Sequence, residues 1–293
     1  MNAISRTFAW RRSLSALLIG LVLQPASAHD QRYVALDIPS EDEELSQASP
    51  AINDWGEIVY VEFCNCPHRQ DVHRIVSTKR GTLVDLGPNG RSPEINNWGE
   101  VVYVEDFAEP GTPPGFFIYS TKRGRLARGN TPVIDEFGYV AGTGVGEQRF
   151  DMGIIRPNLT VVEIKPIEGG RGGLIEENFK DRHAFYIANN EVGLQLYSTH
   201  FGQISNLGAG ALIAVNAVGK YVYSQYGVIY SQRGDVLYTA PDPVTGLGGL
   251  DMNVWGDIVF VELIDPPGAP RFRLVLLTKR PAFYERYYGF KRK

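Results

Sequence analysis

The feature that most constrains this chain is a phrase that it repeats. Residues 92–105 have the sequence SPEINNWGEVVYVE, and residues 49–60 have the closely similar sequence SPAINDWGEIVY. After a loop, both copies continue into Ser-Thr-Lys-Arg-Gly, at 77–81 and 120–124. A phrase that recurs along a chain indicates one structural unit stacked against copies of itself, so we expect a single repetitive domain.

Weaker copies continue to the end of the chain, and their spacing predicts the fold. The apolar residue before the Asn or Asp of each copy lies at Ile52, Ile95, Ile134, Ile175 or Phe179, Val215 and Met252. The average spacing is about 40 residues, which is the length of a four-stranded propeller blade. Each copy divides into short alternating strands joined by tight glycine turns. The sequence therefore predicts an all-β, six-bladed β-propeller of four-stranded antiparallel blades.

The first 28 residues have the three parts of a secretory signal peptide. A basic start ends at Arg11-Arg12, an apolar run covers 14–23, and Ala26-Ser27-Ala28 forms a cleavage site. The apolar run is about half as long as a membrane-spanning helix. We expect residues 1–28 to be removed, residues 29–293 to form one propeller domain without a transmembrane segment, and the mature protein to be periplasmic or extracellular.

Charge and composition restrict the partners. The chain has a formal net charge of −4, and loss of a leader with three arginines and no acidic residue makes the mature protein more acidic. A mildly acidic surface argues against nucleic-acid binding. We expect no cofactor and a monomeric protein.

The best copies resemble a known family. Asp85-Leu86-Gly87, then Ser92, then Ile-Asn-Asn-Trp-Gly-Glu-Val-Val at 95–102, are similar to the bacterial extracellular repeats of the HAF type. The resemblance covers residues 45 to 280. It implies a secreted, propeller-like repeat protein and implies no reaction.

Up-and-down strands sort the residues between two faces of such a blade. The face with the glycine turns is expected to carry aromatic residues near the axis and cations near the rim: Trp55, Trp98, Phe137 and Trp255, with Lys79, Arg80, Lys122, Arg123, Arg233, Lys279 and Arg280. One interpretation is an aromatic platform for sugars or peptides inside a cationic ring. The other, which we favour, is that the rings cover blade junctions and the cations are solvated turn residues, because the repeat alone would produce both rings.

The opposite face carries loops that differ between copies, and one of them holds both cysteines. Cys64 and Cys66 lie within ten residues of His68 and His73. Three interpretations stay open: a structural or idle disulfide, favoured by an oxidising compartment; a strained, redox-labile disulfide; and a Cu or Zn site. The spacing fits no established zinc signature. We predict a Cys64–Cys66 disulfide and no metal.

Catalytic patterns are otherwise sparse, since the remaining histidines are far apart and no nucleophile elbow is present. We expect an exported binding or protein-interaction scaffold, with a protein or carbohydrate ligand on the variable-loop face. The alternatives are a secreted polysaccharide lyase or hydrolase with its site over the propeller axis, and metal or thiol-redox handling at Cys64 and Cys66. A histidine with carboxylates, or an arginine near them, at the axis would favour the enzyme.

The last copy predicts how the ring closes. Pro281 replaces the turn glycine, and its fixed φ excludes the left-handed conformation, so no tight turn is expected there. Residues 33–38 alternate like an outer strand and are expected to complete the last blade beside residues 272–276. The acidic stretch 41–44 would then lead to the first blade. We expect the aromatic, basic tail 283–293 to pack along the rim of the last blade; contact with a membrane or polyanion is the alternative.

Overall fold

The computed structural model describes residues 33–39, 50–64, 72–86, 90–107, 115–145, 150–163, 174–178, 183–190, 193–198, 202–208, 212–216, 218–241, 247–264 and 271–293. The expected signal peptide and the acidic stretch 41–44 lie outside these residues, so both stay predictions. The described residues belong to one compact unit, Tyr33–Lys293. Its described helix is too short and too polar to cross a membrane.

The strands form six sheets within the described part of the chain. A strand close to the N-terminus, β1, is Val34–Asp37. The first sheet consists of β2 (Ala51–Ile52), β3 (Ile58–Cys64), β4 (Val72–Ser77) and β5 (Gly81–Asp85). The second consists of β6 (Arg91–Ile95), β7 (Val101–Phe107), β8 (Gly115–Ser120) and β9 (Gly124–Arg128). The third consists of β10 (Asn130–Ile134), β11 (Val140–Val145), β12 (Phe150–Ile155) and β13 (Val161–Glu163).

The remaining sheets follow in chain order. The fourth consists of β14 (Leu174–Asn178), β15 (His183–Asn190), β16 (Gly193–Ser198) and β17 (Gly202–Gly208). The fifth consists of β18 (Leu212–Val215), β19 (Tyr221–Gln225), β20 (Val228–Ser231) and β21 (Val236–Thr239). The last has the order β22 (Leu247–Met252), β23 (Ile258–Ile264), β24 (Arg271–Thr278), β1 and β25 (Lys291–Arg292). A helix, α1 (Pro281–Tyr288), lies between β24 and β25.

Neighbouring strands of the described sheets pair antiparallel, and all of these sheets but the last have four strands, so the prediction of an all-β chain of mostly four-stranded antiparallel sheets is confirmed. We call β2, β6, β10, β14, β18 and β22 the inner strands. They contact one another in a closed cycle, with β2 touching both β6 and β22. Each inner strand therefore lies next to the inner strands of two other sheets.

Successive side chains of a strand point to opposite faces of its sheet, and each face packs against a neighbouring sheet to form a core. On β7, Val101 and Tyr103 pack against the first sheet, in a cluster that contains Val59 and Ile75. The intervening Val102 and Val104 pack against the third sheet, in a cluster that contains Val140 and Ile155. Both faces of the strand are buried, which explains its near-continuous run of β-branched residues.

The two ends of the described unit meet in the last sheet. Strand β1 pairs with β24 in the register Val34 to Thr278 through Asp37 to Val275, which overlaps only part of the expected partner 272–276. The strand is also not outermost, because β25 pairs with its other edge. The expectation of an outer N-terminal strand is corrected on this point: the chain returns after α1 and adds a further short strand.

The C-terminal tail packs more deeply than the sequence predicts. Pro281 starts α1, where its missing N–H and fixed φ are tolerated, so no tight turn forms. Tyr284 and Phe290 are buried in a cluster with Leu36 of β1 and Ile58 of the first sheet. The tail therefore covers the junction between the last and first sheets, instead of lying only along the rim of the last one.

An ion cluster also anchors the tail. The Lys293 ammonium lies 2.8 Å from a carboxylate oxygen of Glu262, which also accepts hydrogen bonds from Arg273 and, at 2.6 Å, from Tyr238. Burial alone would raise the pKa of Glu262, but these donors outweigh it and hold the pKa below its usual value.

Candidate functional site

Tight turns collect on one side of the sheets, which we call the turn face. It comprises the turns between first and second strands, at 53–57, 96–100, 135–139, 218–220 and 253–257, and the segments after the third strands, at 78–80, 121–123, 156–160, 232–235 and 279–280. Antiparallel strands place both kinds of turn at the same end of a sheet.

A buried asparagine or aspartate organises each described turn of the first kind. In the first sheet, Asn53 Oδ1 accepts the backbone N–H groups of Trp55 and Glu57, at 3.1 and 3.0 Å. Gly56 takes a φ of +79°, which a residue with a side chain adopts at a cost. The pattern recurs at Asn96, Asp135, Asn216 and Asn253.

The same asparagines connect neighbouring sheets. Asn53 Nδ2 donates to the Asn96 carbonyl, Asn96 Nδ2 donates to the Asp135 carbonyl, and Asn216 Nδ2 donates to the Asn253 carbonyl, at 3.1 to 3.2 Å. Asn253 Nδ2 donates to the Asn53 carbonyl across 200 residues of sequence, at 3.2 Å. Asp135 has no such donor, and its buried Oδ2 has no hydrogen-bond partner. Burial raises the pKa of Asp135.

Four aromatic side chains stand out from this face. The exposed fractions are 66% for Trp55, 74% for Trp98, 64% for Trp255 and 58% for Phe137. The Trp98 indole N–H donates to the Glu136 carbonyl, directly before Phe137, and the Trp255 indole N–H donates to the carbonyl directly before Trp55. The rings therefore form an arc over four consecutive sheets, which we call the aromatic arc.

The three indoles have features of both interpretations of the aromatic residues, as covers of blade junctions and as a binding platform. The N–H bonds of Trp98 and Trp255 cover the junction to the next turn, as the favoured interpretation predicts. About two thirds of each indole surface nevertheless remains in contact with solvent. An exposed row of large rings is unusual in a soluble domain and typically marks a binding surface.

Three arginines behind the arc are ion-paired with buried acids, a contact that neither interpretation included, although Arg80 is also exposed to solvent. Glu57 is buried and accepts a hydrogen bond from Ser77 at 2.5 Å and from Arg80 Nε at 2.6 Å. Glu100 has the same partners one repeat later, Ser120 and Arg123, at the same distances. Asp257 in the last sheet binds Thr278, Arg280 and Tyr284. We call these three sets the acid–hydroxyl–arginine triads.

Other cations lie between or beside the rings. Lys122 Nζ donates to the Trp98 carbonyl at 2.7 Å, and the Arg280 guanidinium lies 5.2 Å from the centre of the Trp255 ring. Seven basic residues of the described turn face are exposed: Lys79, Arg80, Lys122, Arg156, Lys220, Arg233 and Lys279. Its exposed acidic residues are Glu136 and Asp235.

Hydrogen bonds of Asp54, Asn97 and Glu136 link consecutive turns of the arc, and we call them the belt. Asp54 accepts the Val254 N–H at 3.0 Å and the Asn97 side-chain amide at 2.7 Å. The Asn97 N–H donates to both carboxylate oxygens of Glu136 at 3.1 Å. Partial desolvation, with the charges of Asp54 and Asp135, raises the pKa of Glu136 to about 7.

Two carboxyls lie on inner strands that flank β2. Asp251 on β22 accepts the backbone N–H groups of Ile52 and Met252, both at 2.7 Å. Burial and the charge of Asp54 raise its pKa to about 6 despite these bonds. Burial, with the charge of Asp251, raises the pKa of Glu94 on β6 well above its usual value. No sequence pattern indicated that these two carboxyls would lie near each other.

The cysteine loop is described only at its edges. Cys64 ends β3, its side chain and all of Cys66 and His68 lie outside the described residues, and the described part contains no disulfide. His73 is described, and its Nδ1 lies 2.9 Å from the Gly90 carbonyl. Within the described residues, no cluster of three or more His, Cys, Asp or Glu side chains could hold a metal ion. The Cys64–Cys66 disulfide stays a prediction, as does a ligand on the variable loops, whose tips fall in the same gaps.

Comparisons with known proteins show a fold and no function. No family model matches the chain, and no curated protein is similar to it in sequence. The crystal structure of TolB from Acinetobacter baumannii matches with a TM-score of 0.53 and 14% identity, over 76% of this chain and 64% of that one. A streptogramin B lyase structure matches with a TM-score of 0.44 and 11% identity, over 85% of this chain and 98% of that one. The likeness to TolB shows that the chain has a β-propeller-like all-β fold.

Proposed function

We propose that the chain is an exported, six-bladed β-propeller that acts as a binding scaffold, and that its binding surface is the aromatic arc. The closed cycle of inner strands supports six blades. The pairing of β1 with β24 supports closure of the last blade by the N-terminal strand. Export rests on the pattern in residues 1–28, and membership of the HAF-type repeats rests on the quoted motif alone.

The observation that carries the binding role is the exposure of Trp55, Trp98 and Trp255. Each ring leaves a large apolar surface in contact with water and fills no core. Indole N–H bonds and the belt below hold the turns in place, so the surface is organised before a ligand arrives. A rigid row of aromatic faces limits the entropy lost on binding.

The test uses a convenient property of the sequence. Trp10 lies in the predicted leader, so every tryptophan of the mature protein is in the arc. Intrinsic fluorescence of the purified protein should change on titration with a panel of soluble polysaccharides. W98A and W255A should abolish the response to the bound polymer without loss of folding. The control is Tyr226→Ala, which removes an 80% exposed ring from the β19–β20 turn. If both tryptophan variants still bind the polymer, the proposal that the aromatic arc is the binding surface is refuted.

Closure of the ring has its own test, because the tail is more deeply packed than expected. Deletion of residues 29–40 removes β1 and should lower the melting temperature sharply. Deletion of 285–293 removes buried Phe290 and the Lys293 ion pair, so it should also lower the melting temperature. An unchanged melting temperature after the first deletion would contradict closure by the N-terminal strand.

A hydrolase at the axis is the second candidate, and the Glu94–Asp251 pair favours it. Glycoside hydrolysis uses two carboxyls, one of them with a raised pKa. Among the described residues, no histidine and no arginine is hydrogen-bonded to either carboxyl. The combination of carboxylates with a histidine or an arginine, which would favour an enzyme, is therefore incomplete. Reducing-sugar release from polysaccharides by the wild type, lost in E94Q, would establish the enzyme and displace the scaffold.

Export and the disulfide are tested on the mature protein. N-terminal sequencing of protein from its native compartment should begin near His29. Thiol titration of denatured, unreduced protein should find no free thiol at Cys64 or Cys66. Two free thiols would refute the disulfide, and a stoichiometric bound metal would favour the metal-handling alternative.

A further inference from the structure

The charges on the turn face indicate which ligand the aromatic arc accepts. The chain as a whole is acidic, with a net charge of −4, yet the exposed charges of the described turns are predominantly basic. Seven exposed cations, of which Arg80 is paired with buried Glu57, stand against two exposed carboxylates and the half-buried Asp54. The acids that would balance them, Glu57, Glu100 and Asp257, are buried in the triads and lie behind the surface. A ligand that approaches this face therefore meets local positive charge on an otherwise acidic protein.

The basic side chains adjoin the rings. Lys122 is held against the Trp98 carbonyl, and the Arg80 guanidinium lies within 3.7 Å of the place that a Cβ on Gly99 would occupy, beside the same ring. Lys79 and Lys279 occupy the position of Lys122 in the first and last repeats and are exposed. An ammonium group thus lies directly beside an exposed ring in the second sheet, and the repeat places Lys79 and Lys279 in the equivalent turns of the first and last sheets. The Lys279 ammonium lies 4.9 Å from the centre of the Tyr33 ring.

The rings offer faces instead of hydrogen bonds. The indole N–H groups of Trp98 and Trp255 are already bonded to backbone carbonyls, so these rings present only apolar surface to a ligand. Sugar rings have flat C–H faces that stack on indoles, and uronic acids add one carboxylate to each ring. We propose that the aromatic arc binds an anionic polysaccharide, a chain of uronic acids, with Trp55, Trp98 and Trp255 against the sugar faces and Lys79, Lys122 and Lys279 beside the carboxylates. This inference rests on the proposed binding role of the arc.

Other anionic polymers fit less well. Single-stranded nucleic acid also stacks on aromatic rings, but it carries a phosphate on every residue and needs a dense basic groove. The arginines of this face are already ion-paired with the protein's own Glu57, Glu100 and Asp257, so part of their charge is neutralised before a phosphate could approach. An acidic peptide supplies charge without rigid apolar faces for three exposed indoles.

The experiment is a titration of the mature protein with four probes. They are oligogalacturonate, the neutral glucan laminarin, poly-glutamate and oligo-thymidylate, and the readouts are tryptophan fluorescence and isothermal calorimetry. Oligogalacturonate should bind most tightly, and its affinity should fall as NaCl rises from 50 to 500 mM because exposed charges are screened. The double variant K79Q/K122Q should weaken binding about tenfold, since each lost contact is exposed and modest. Lys291→Gln, an exposed lysine of β25, is the matched control and should have no effect.

Each outcome separates this inference from the role on which it rests. If laminarin binds as tightly as oligogalacturonate and W98A abolishes both, the scaffold stands and the preference for an anion is overturned. If poly-glutamate or oligo-thymidylate binds more tightly, the ligand is a peptide or a nucleic acid. If K79Q/K122Q binds oligogalacturonate like the wild type, the lysines are not part of the site. If no probe binds and the fluorescence never changes, the proposed function fails with the inference.

Discussion

Replacement of Asn253 by aspartate tests the asparagine ring at the point where the last sheet meets the first. The substitution exchanges the side-chain N–H₂ for an oxygen. It removes the hydrogen bond to the Asn53 carbonyl, and it also removes a 3.2 Å contact in which the amide faces a carboxylate oxygen of Asp257. Both residues are buried. Two carboxylates would then lie about 3 Å apart, away from water.

The magnitude follows from this geometry. At an effective dielectric constant of about 20, two like charges at that separation repel by about 5 kcal/mol. Protonation of the new carboxyl costs less free energy than this repulsion. Raising its pKa from about 3.9 to above 7 costs about 4 kcal/mol, and the protonated group again offers a hydrogen-bond donor toward Asn53. We therefore expect Asn253→Asp to lower the free energy of unfolding by about 4 kcal/mol at pH 7. The loss should shrink by about 1.4 kcal/mol for each pH unit below 7 and disappear near pH 4.

Asn216→Asp is the matched control. Asn216 makes the same three hydrogen bonds, but the residue four positions on is Lys220, where Asn253 has Asp257. The control should lose about 2 kcal/mol at pH 7, mainly for the missing donor and the buried charge. For a domain of this size, thermal melts followed by circular dichroism should then show losses of about 10 °C and about 5 °C. Equal losses in the two variants, or a loss at Asn253 that does not change between pH 4 and 7, would refute the reasoning.

Three further substitutions test buried polar groups. D135N removes a buried carboxyl whose pKa is raised in the folded protein, so the wild type loses folding stability as the pH rises. In urea titrations the variant should be more stable than the wild type by about 1 kcal/mol at pH 8 and equally stable near pH 3. E94Q should behave in the same sense, with a melting temperature above that of the wild type at pH 8 that converges below pH 4; a constant offset at all pH values would contradict the raised pKa of Glu94. Y284F deletes the 2.7 Å hydrogen bond to Asp257 and should cost about 2 kcal/mol, whereas Y287F, at a 67% exposed ring, should leave the melting temperature unchanged.

Local repetition explains why much of the fold could be predicted. The Asn–x–Trp–Gly phrase places a buried acceptor and a glycine with positive φ in fixed positions, so the turns and their flanking strands follow from neighbouring residues. The exposed positions of Trp55 and Trp98 follow for the same reason. The phrase also contained the triads, since Glu57, Ser77 and Arg80 recur with constant spacing, but spacing alone does not distinguish a paired arginine from a solvated one.

Contacts between distant repeats explain most of what the sequence missed. Glu94 and Asp251 come near each other only because β6 and β22 flank the same strand, β2. The burial of Phe290 depends on where α1 directs the chain after Pro281. A hydrophobic pattern also cannot indicate that a two-residue strand such as β25 will extend a sheet that already has four strands.

The arc and the triads coincide in the best-preserved repeats, and this has a physical reason. The last, first and second sheets each combine a tryptophan, a buried acid and an exposed lysine in the same turns. The third and fifth sheets keep the organising Asp135 or Asn216, but Tyr139 and Lys220 replace the buried acid, and Phe137 and Val218 replace the tryptophan. The turn therefore forms without the triad, because the asparagine or aspartate alone satisfies its backbone. The triad is not needed for the turn, yet one accompanies each exposed tryptophan. We infer that it holds the residues around the ring rigid. Loss of Glu100 should therefore weaken ligand binding at Trp98 even where the variant remains folded.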